Sequence, residues 1–273
     1  MSRTWLVAAS GGAAALLFTA TALSQTIPWP QGNRLTAVVS LDSVTAPGGS
    51  GVLSFRYKLE NRPGSEQSAR ILIIETRVPV LHLVAPEPAQ RWVHVGPQAA
   101  DSVAFWGSAS REQDVKPGFT RTGFTLVTTS GLPGIVHFWV QGRFDVPTVT
   151  EAQEDSVAEA PRVEDNSFAG LVVGPVPVTD VRSSALLARL SGLDARLCAL
   201  NWITNAGVCH SLQVRLDQAT ASLSRNDTQS AKSQLSTFLS ELDAQHGPEP
   251  GKHVTDNAYW LLKINVEFLL SRL

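Results

Sequence analysis

Cysteine is nearly absent from this chain of 273 residues: there are two, Cys198 and Cys209, both inside "CALNWITNAGVC" (198–209). No C-x-x-C pair occurs, which removes the usual dithiol redox motif, and the spacing of the two fits no standard zinc knuckle. An excess of one charge is lacking too. The formal net charge is −2, from 22 Lys and Arg against 24 Asp and Glu. A nucleic-acid-binding surface needs a basic excess to displace counterions, so no nucleic-acid partner is expected. Beyond residue 23 no run is long and apolar enough to cross a bilayer, so no membrane span is expected in the mature chain. Also missing are G-x-S-x-G, H-E-x-x-H, a P-loop and G-x-G-x-x-G. No catalytic, metal-binding or cofactor-binding residue is assigned on this pattern, and no cofactor is expected.

What is present begins with an address. Arg3 precedes the uncharged, Ala- and Leu-rich "WLVAASGGAAALLFTATAL" (5–23), and small residues follow at the spacing of a cleavage site, after Ser24 or after Ala22. This is the layout of a signal peptide over 1–24. The rival is an uncleaved anchor. With no cysteine at the junction, a lipidated N-terminus is excluded. The expected mature protein is secreted, periplasmic or on the cell surface.

Residues 34–178 read as one antiparallel β-sandwich of immunoglobulin or fibronectin type. In 52–61, Leu53, Phe55, Tyr57 and Leu59 alternate with Ser54, Arg56, Lys58 and Glu60, the period-2 pattern of a half-buried strand. Further strands are expected at 34–44, 69–78, 91–95, 102–107, 120–129, 134–142 and 166–178. Pro and Gly punctuate the joins, as in "KPG" and "GLPG". The expected core is Leu53, Phe55, Tyr57, Ile71, Ile73, Phe105, Phe124, Leu126 and Phe138. The stretch 151–165 interrupts this region with six acidic residues and one Arg. It reads as a solvated mobile loop. The alternative of a calcium loop lacks the D-x-D-x-D-G spacing.

From about residue 182 the period changes from 2 to 3.6, and 182–273 reads as a small antiparallel helical bundle. Leu186, Leu190, Leu193 and Leu197 form the first stripe; Leu212, Leu216, Ala219 and Leu223 the second; Ala231, Leu235, Phe238 and Leu242 the third. The last runs from Ala258 through Leu261, Leu262, Val266 and Leu269 to Leu273. Asp227 and Thr255 are placed to cap the third and fourth helices.

Within this region, 201–270 carries Ile203, Asn205 and Gly207 as "I-x-N-x-G". There follow Ser211, Leu212, Leu216 and Ala219, then Ala231, Leu235 and Phe238, and finally Ala258, Leu261 and Leu262. In that order and spacing the segment resembles the FIMAH domain of secreted and surface bacterial proteins. The resemblance implies an all-helical appendage, often attached to carbohydrate-active or adhesive modules, and supplies no catalytic residue. More loosely, "KPGFTRTGFTLVTTSGLPGIVHFWVQG" (116–142) resembles the end of β-sandwich modules in exported bacterial proteins.

Two features carry chemistry. Two cysteines in an exported chain most simply form one disulfide, worth roughly 3 kcal/mol across so short a loop. Zinc held by Cys198, Cys209, His210 and a distant His246 or His253 is the weaker alternative, and a thiol nucleophile weaker still. In "IVHFWV" (135–140), Val136, Phe138 and Val140 on one face leave His137 and Trp139 on the other. An outward Trp with a polar neighbour suits a carbohydrate- or peptide-binding surface, because flat rings stack on sugar faces; the bland alternative is a covered Trp. His82, His94 and His137 share no close motif. The expected function is an exported, non-enzymatic binding or structural protein whose partner is a carbohydrate or a cell-surface protein. The alternatives are a small extracellular hydrolase and a passive cell-envelope spacer.

Overall fold

The computed structural model describes residues 32–46, 52–87, 92–95, 103–144 and 166–273. The expected leader (1–24) and the acidic stretch 151–165 lie outside the described residues. Among those residues nine strands come first: β1 (Ala37–Thr45), β2 (Leu53–Asn61), β3 (Ala69–Glu75), β4 (Val80–Val84), β5 (Trp92–Val95), β6 (Val103–Ser108), β7 (Thr120–Thr128), β8 (Leu132–Gly142) and β9 (Phe168–Val176). Four helices follow: α1 (Ser183–Ala199), α2 (Ala206–Ser224), α3 (Thr228–Gln245) and α4 (Asp256–Leu270). The strands form two antiparallel sheets, ordered β1-β2-β7-β4 and β5-β6-β3-β8-β9. This is the expected sandwich followed by helices.

Alternation in β2 places Phe55, Tyr57 and Leu59 in the core with no exposed surface. Each large apolar side chain buried in this way contributes roughly 1.5–3 kcal/mol. Trp92 and Trp106 meet Phe124 edge-on, with ring centroids 5.0 and 5.8 Å apart. Their indole N–H groups donate to Gln113 O and Val84 O, so neither buried ring leaves a polar atom unpaired.

Three of the expected core residues lie on the outer face of the five-stranded sheet, where Ile71 and Ile73 are nonetheless buried and Phe105 is half-buried. The inward residues of β3 are Leu72 and Ile74, and those of β6 are Ala104 and Trp106. Ile71, Ile73 and Phe105 point to the opposite face. The run "ILII" is apolar at every position and "FW" offers two adjacent aromatics, so period 2 carries no phase in either strand. Register decides it: Ile73 lies between Phe105 of β6 and Trp139 of β8. β4 is a further correction, because no strand was expected at 80–84. It is a sheet edge with a single buried residue, Leu83, so it lacks the alternation that reveals a strand.

The helices follow their stripes except that Asp194 replaces Leu193 on the buried side of α1, Leu223 is only partly buried and Leu273 lies beyond α4. Asp227 and Thr255 accept from Ser230 N and Ala258 N as caps. α4 differs from its neighbours. It packs on α1 and α3 and also on β1, β8 and β9. Accordingly it buries Asn257, Ile264 and Asn265 besides its apolar stripe. β1 is the free edge of its sheet, and it bulges at Asp42, between the paired Leu41 and Ser43. α4 covers that edge. Asn257 Oδ1 accepts from Leu41 N at 2.8 Å, and Trp260 Nε1 donates to Asp42 O at 3.1 Å. A single apolar cluster runs from the sandwich into the bundle.

Candidate functional site

β8 is buried on its inner side by Val136, Phe138 and Val140. The next residues along the strand therefore point outward. His137 is exposed and Trp139 half-buried, with their ring centroids 6.0 Å apart. Register sets Trp139 between Ile73 of β3 and Ala169 of β9, so the indole belongs to an apolar strip on the outer face of the five-stranded sheet. Polar groups gather at the His137 end of that strip. Glu75 Oε2 accepts from the His137 backbone N–H at 3.0 Å and lies 3.1 Å from its Nδ1. Arg77 donates to the same carboxylate from Nε at 2.8 Å and Nη2 at 3.3 Å. The Arg77 hydrogen bonds, aided by His137 against a burial cost, pull the Glu75 carboxyl down to about 2. It is therefore an anion whenever the protein is near neutrality.

His137 also lines a cavity of about 380 Å³ where the end of this sheet meets α1. Three guanidiniums share it: Arg77 from the turn after β3, and Arg189 and Arg196 from α1. The helical pair is seven residues apart, two turns on one face. Ile135, Leu171 and Leu193 supply the apolar wall. Arg189 is fixed: its Nη2 donates to Pro133 O at 3.0 Å, and its Nε lies 3.4 Å from Asn265 Oδ1. Asn265 Nδ2 also donates to Pro133 O, at 2.9 Å, so two helices share that carbonyl. Partial burial lowers the Arg189 pKa below its ordinary value. Arg196 is exposed, and its guanidinium has no partner among the described residues. Nothing in the sequence reading singled out the arginines. The signal available was the i, i+7 repeat of Arg on the polar flank of the first leucine stripe.

The other singled-out residues lie apart from this site. His82 is exposed on β4, an edge of the four-stranded sheet, and His94 is exposed on β5, an edge of the five-stranded one. With His137 on β8, the three histidines belong to three separate strands. Among the described residues no group of three His, Cys, Asp or Glu is arranged to hold a metal. Cys198, in the last turn of α1, and Cys209, in the first turn of α2, are bonded to each other with Cα atoms 6.1 Å apart. A larger cavity, about 710 Å³, opens between β1–β2 and the bundle. Its charges are already paired: Asp42 with Arg56 and Glu60 with Arg62 at its margin, and the rest with one another. Lys58 pairs with Asp256, which also meets His246 Nε2 at 2.8 Å, and the His246 ring stacks on Tyr259 at 3.9 Å. Burial opposes ionisation of Asp256, but the hydrogen bonds from Lys58 and His246 outweigh it and keep its pKa below the ordinary value. This network joins two layers and leaves no charge unmatched for a ligand.

Residues 187–271 match the FIMAH domain. The match begins inside α1 and takes in α2, α3 and α4. Two solved structures align with about half of the chain. An immunoglobulin-like protein from Nocardia farcinica shares 13% identity at a TM-score of 0.28, covering 51% of this chain and 99% of its own. A non-cellulosomal cohesin from the hyperthermophilic archaeon Archaeoglobus fulgidus shares 14% at 0.28, covering 50% and 90%. At that distance neither lends this chain a ligand. No curated protein matches the chain in sequence.

The FIMAH entry motif has a physical reading here. Ile203 is buried and bridges to Val254 ahead of α4. Asn205 caps α2, its Oδ1 accepting from Gly207 N at 2.8 Å and Val208 N at 3.2 Å. A Cβ on Gly207 would stand 3.0 Å from that oxygen, so glycine leaves the cap its room. The motif is thus an anchor, a cap and a clearance. It builds the corner that the disulfide closes, and it presents no reactive group.

Proposed function

We propose that the protein is an exported, non-enzymatic binding protein that recognises carbohydrate on the outer face of its five-stranded sheet. The observation that carries this reading is the pair on β8: a half-buried Trp139 beside an exposed His137, on an apolar strip that ends at a concave site. An indole fixed by cross-strand neighbours offers a flat apolar surface at little entropic cost, and sugar faces stack on such surfaces. The adjoining polar groups would fix the orientation of the hydroxyls. The FIMAH-matched helices cover the sandwich edge and build one wall of the concavity. The disulfide fits an oxidising compartment, in keeping with export.

The test is an oligosaccharide array followed by titration calorimetry on the best ligand, with product analysis in the same samples. Binding without turnover is expected. Trp139→Ala is expected to weaken binding about tenfold, equivalent to about 1.4 kcal/mol. Turnover of a bound glycan would overturn the non-enzymatic reading. Unaltered affinity in the Trp139 variant would overturn the placement of the surface.

A further inference from the structure

The cavity beside His137 is charged in one sense. Arg77, Arg189 and Arg196 line it, and no carboxylate is among its lining residues. Glu75 stands behind His137 and Arg77 and compensates one guanidinium. The other two have no acidic partner among the described residues: Arg189 is held by a backbone carbonyl and an amide, and Arg196 by nothing. Like charges gathered on the apolar walls of a concave site focus a positive potential into it. Guanidiniums meet carboxylate and sulfate groups with paired N–H donors, and Arg189 is already immobilised. The wall contributed by Ile135, Leu171 and Leu193 suits the face of a ring rather than a free inorganic anion. A volume of about 380 Å³ accommodates a sugar residue with its acidic substituent.

We propose that this cavity selects an acidic sugar, its carboxylate or sulfate held by Arg77, Arg189 and Arg196, while the adjoining ring of the same polymer lies on Trp139. The inference rests on the carbohydrate reading above and narrows its ligand to acidic polysaccharides. It assigns the arginines to specificity and the tryptophan to stacking.

The experiment uses the full chain and four probes: an oligogalacturonate, its carboxyl-reduced neutral counterpart, a heparin-derived oligosaccharide and a poly-glutamate peptide. Affinities are measured by calorimetry at low and high salt for the wild type, Arg196→Ser and Trp139→Ala. Arg196 is exposed and unpaired, so its replacement leaves the fold intact, which circular dichroism verifies. One or both acidic saccharides are expected to bind at least about tenfold more tightly than the neutral one, with the excess lost in Arg196→Ser and diminished by salt. The preference between the first and third probes tells carboxylate from sulfate. Equal binding of the neutral oligosaccharide would overturn the acidic selectivity while leaving the carbohydrate reading intact. Arg196-dependent binding of acidic saccharides that ignores Trp139→Ala would keep the arginine pocket and overturn the stacking surface. Binding of poly-glutamate as tightly as the saccharides, or of none of the four, would overturn the proposal.

Discussion

Asp194 is the residue most at odds with its surroundings. It sits on the buried side of α1 with 1% of its surface exposed, and its Oδ1 makes no hydrogen bond among the described residues. Burial pushes its carboxyl up to about 7. In the unfolded chain the same group ionises near pH 4. Because the folded value is the higher one, the favourable contribution is fully present below about pH 4 and is lost as the pH rises through 7. Asp194→Asn removes the ionisation while keeping the shape. The variant is expected to match the wild type at pH 4 and to exceed it at pH 8 by up to about 4 kcal/mol. Urea midpoints at the two pH values check this; a variant no more stable at pH 8 than the wild type contradicts it. The sequence hid this residue because Asp194 falls one place beyond Leu193 of the expected stripe. The helix is rotated so that Leu193 reaches the cavity and Asp194 faces inward.

At the scale of elements, the corner between α1 and α2 is where local chemistry is densest. Asn201 takes a left-handed backbone (φ 55°), which asparagine tolerates better than most residues. Asn205 caps the next helix, and the disulfide closes the turn across a sequence separation of 11. Replacing both cysteines by serine is expected to cost roughly 3 kcal/mol on the chain-entropy model. The sugar affinity is expected to remain, because neither cysteine lines the proposed site. Thermal melts with and without reductant provide the measurement; identical midpoints would show that the bridge constrains little. Elements also mark the limit of pattern reading. β2, with one polar face, was legible down to the direction of each side chain; in β8 the alternation was legible over 135–140, but the strand starts at Leu132, inside the expected "GLPG" join. β3, apolar at four successive positions, had no readable phase, and β4, with one buried residue, had no readable strand.

At the scale of the whole molecule, the decisive contacts join sandwich to bundle. α4 supplies Asn257 and Trp260 to backbone groups of β1, and Asn265 to the carbonyl of Pro133. Asn265 Nδ2 also donates to Leu261 O at 2.7 Å, so one amide serves two buried acceptors. Asn265→Ala removes the amide donor to the Pro133 carbonyl and the acceptor for Arg189 Nε. A loss of about 1–3 kcal/mol is expected. Helical circular dichroism and tryptophan fluorescence are expected to trace one coincident urea transition in the wild type. Two separate wild-type transitions would show that sandwich and bundle unfold independently despite these contacts.

The sequence by itself determined the elements that repeat: period-2 strands with a polar side, period-3.6 helices, their caps, and the cysteine pair brought together by a single turn. Those features depend on residues a few positions apart, so local geometry suffices to specify them. It also oriented His137 and Trp139, since the apolar partners of their strand flank them directly. Only the tertiary structure decided the phase of the uniformly apolar strands, because hydrogen-bonded register is a property of two strands and not of one. It alone assembled the arginine-lined cavity as well. Arg77 lies more than a hundred residues from Arg189 and Arg196, and charge carries no periodic signature across such a distance. The concavity forms where α1 and α4 meet the end of the five-stranded sheet, with Arg189 of α1 and Asn265 of α4 both donating to the Pro133 carbonyl.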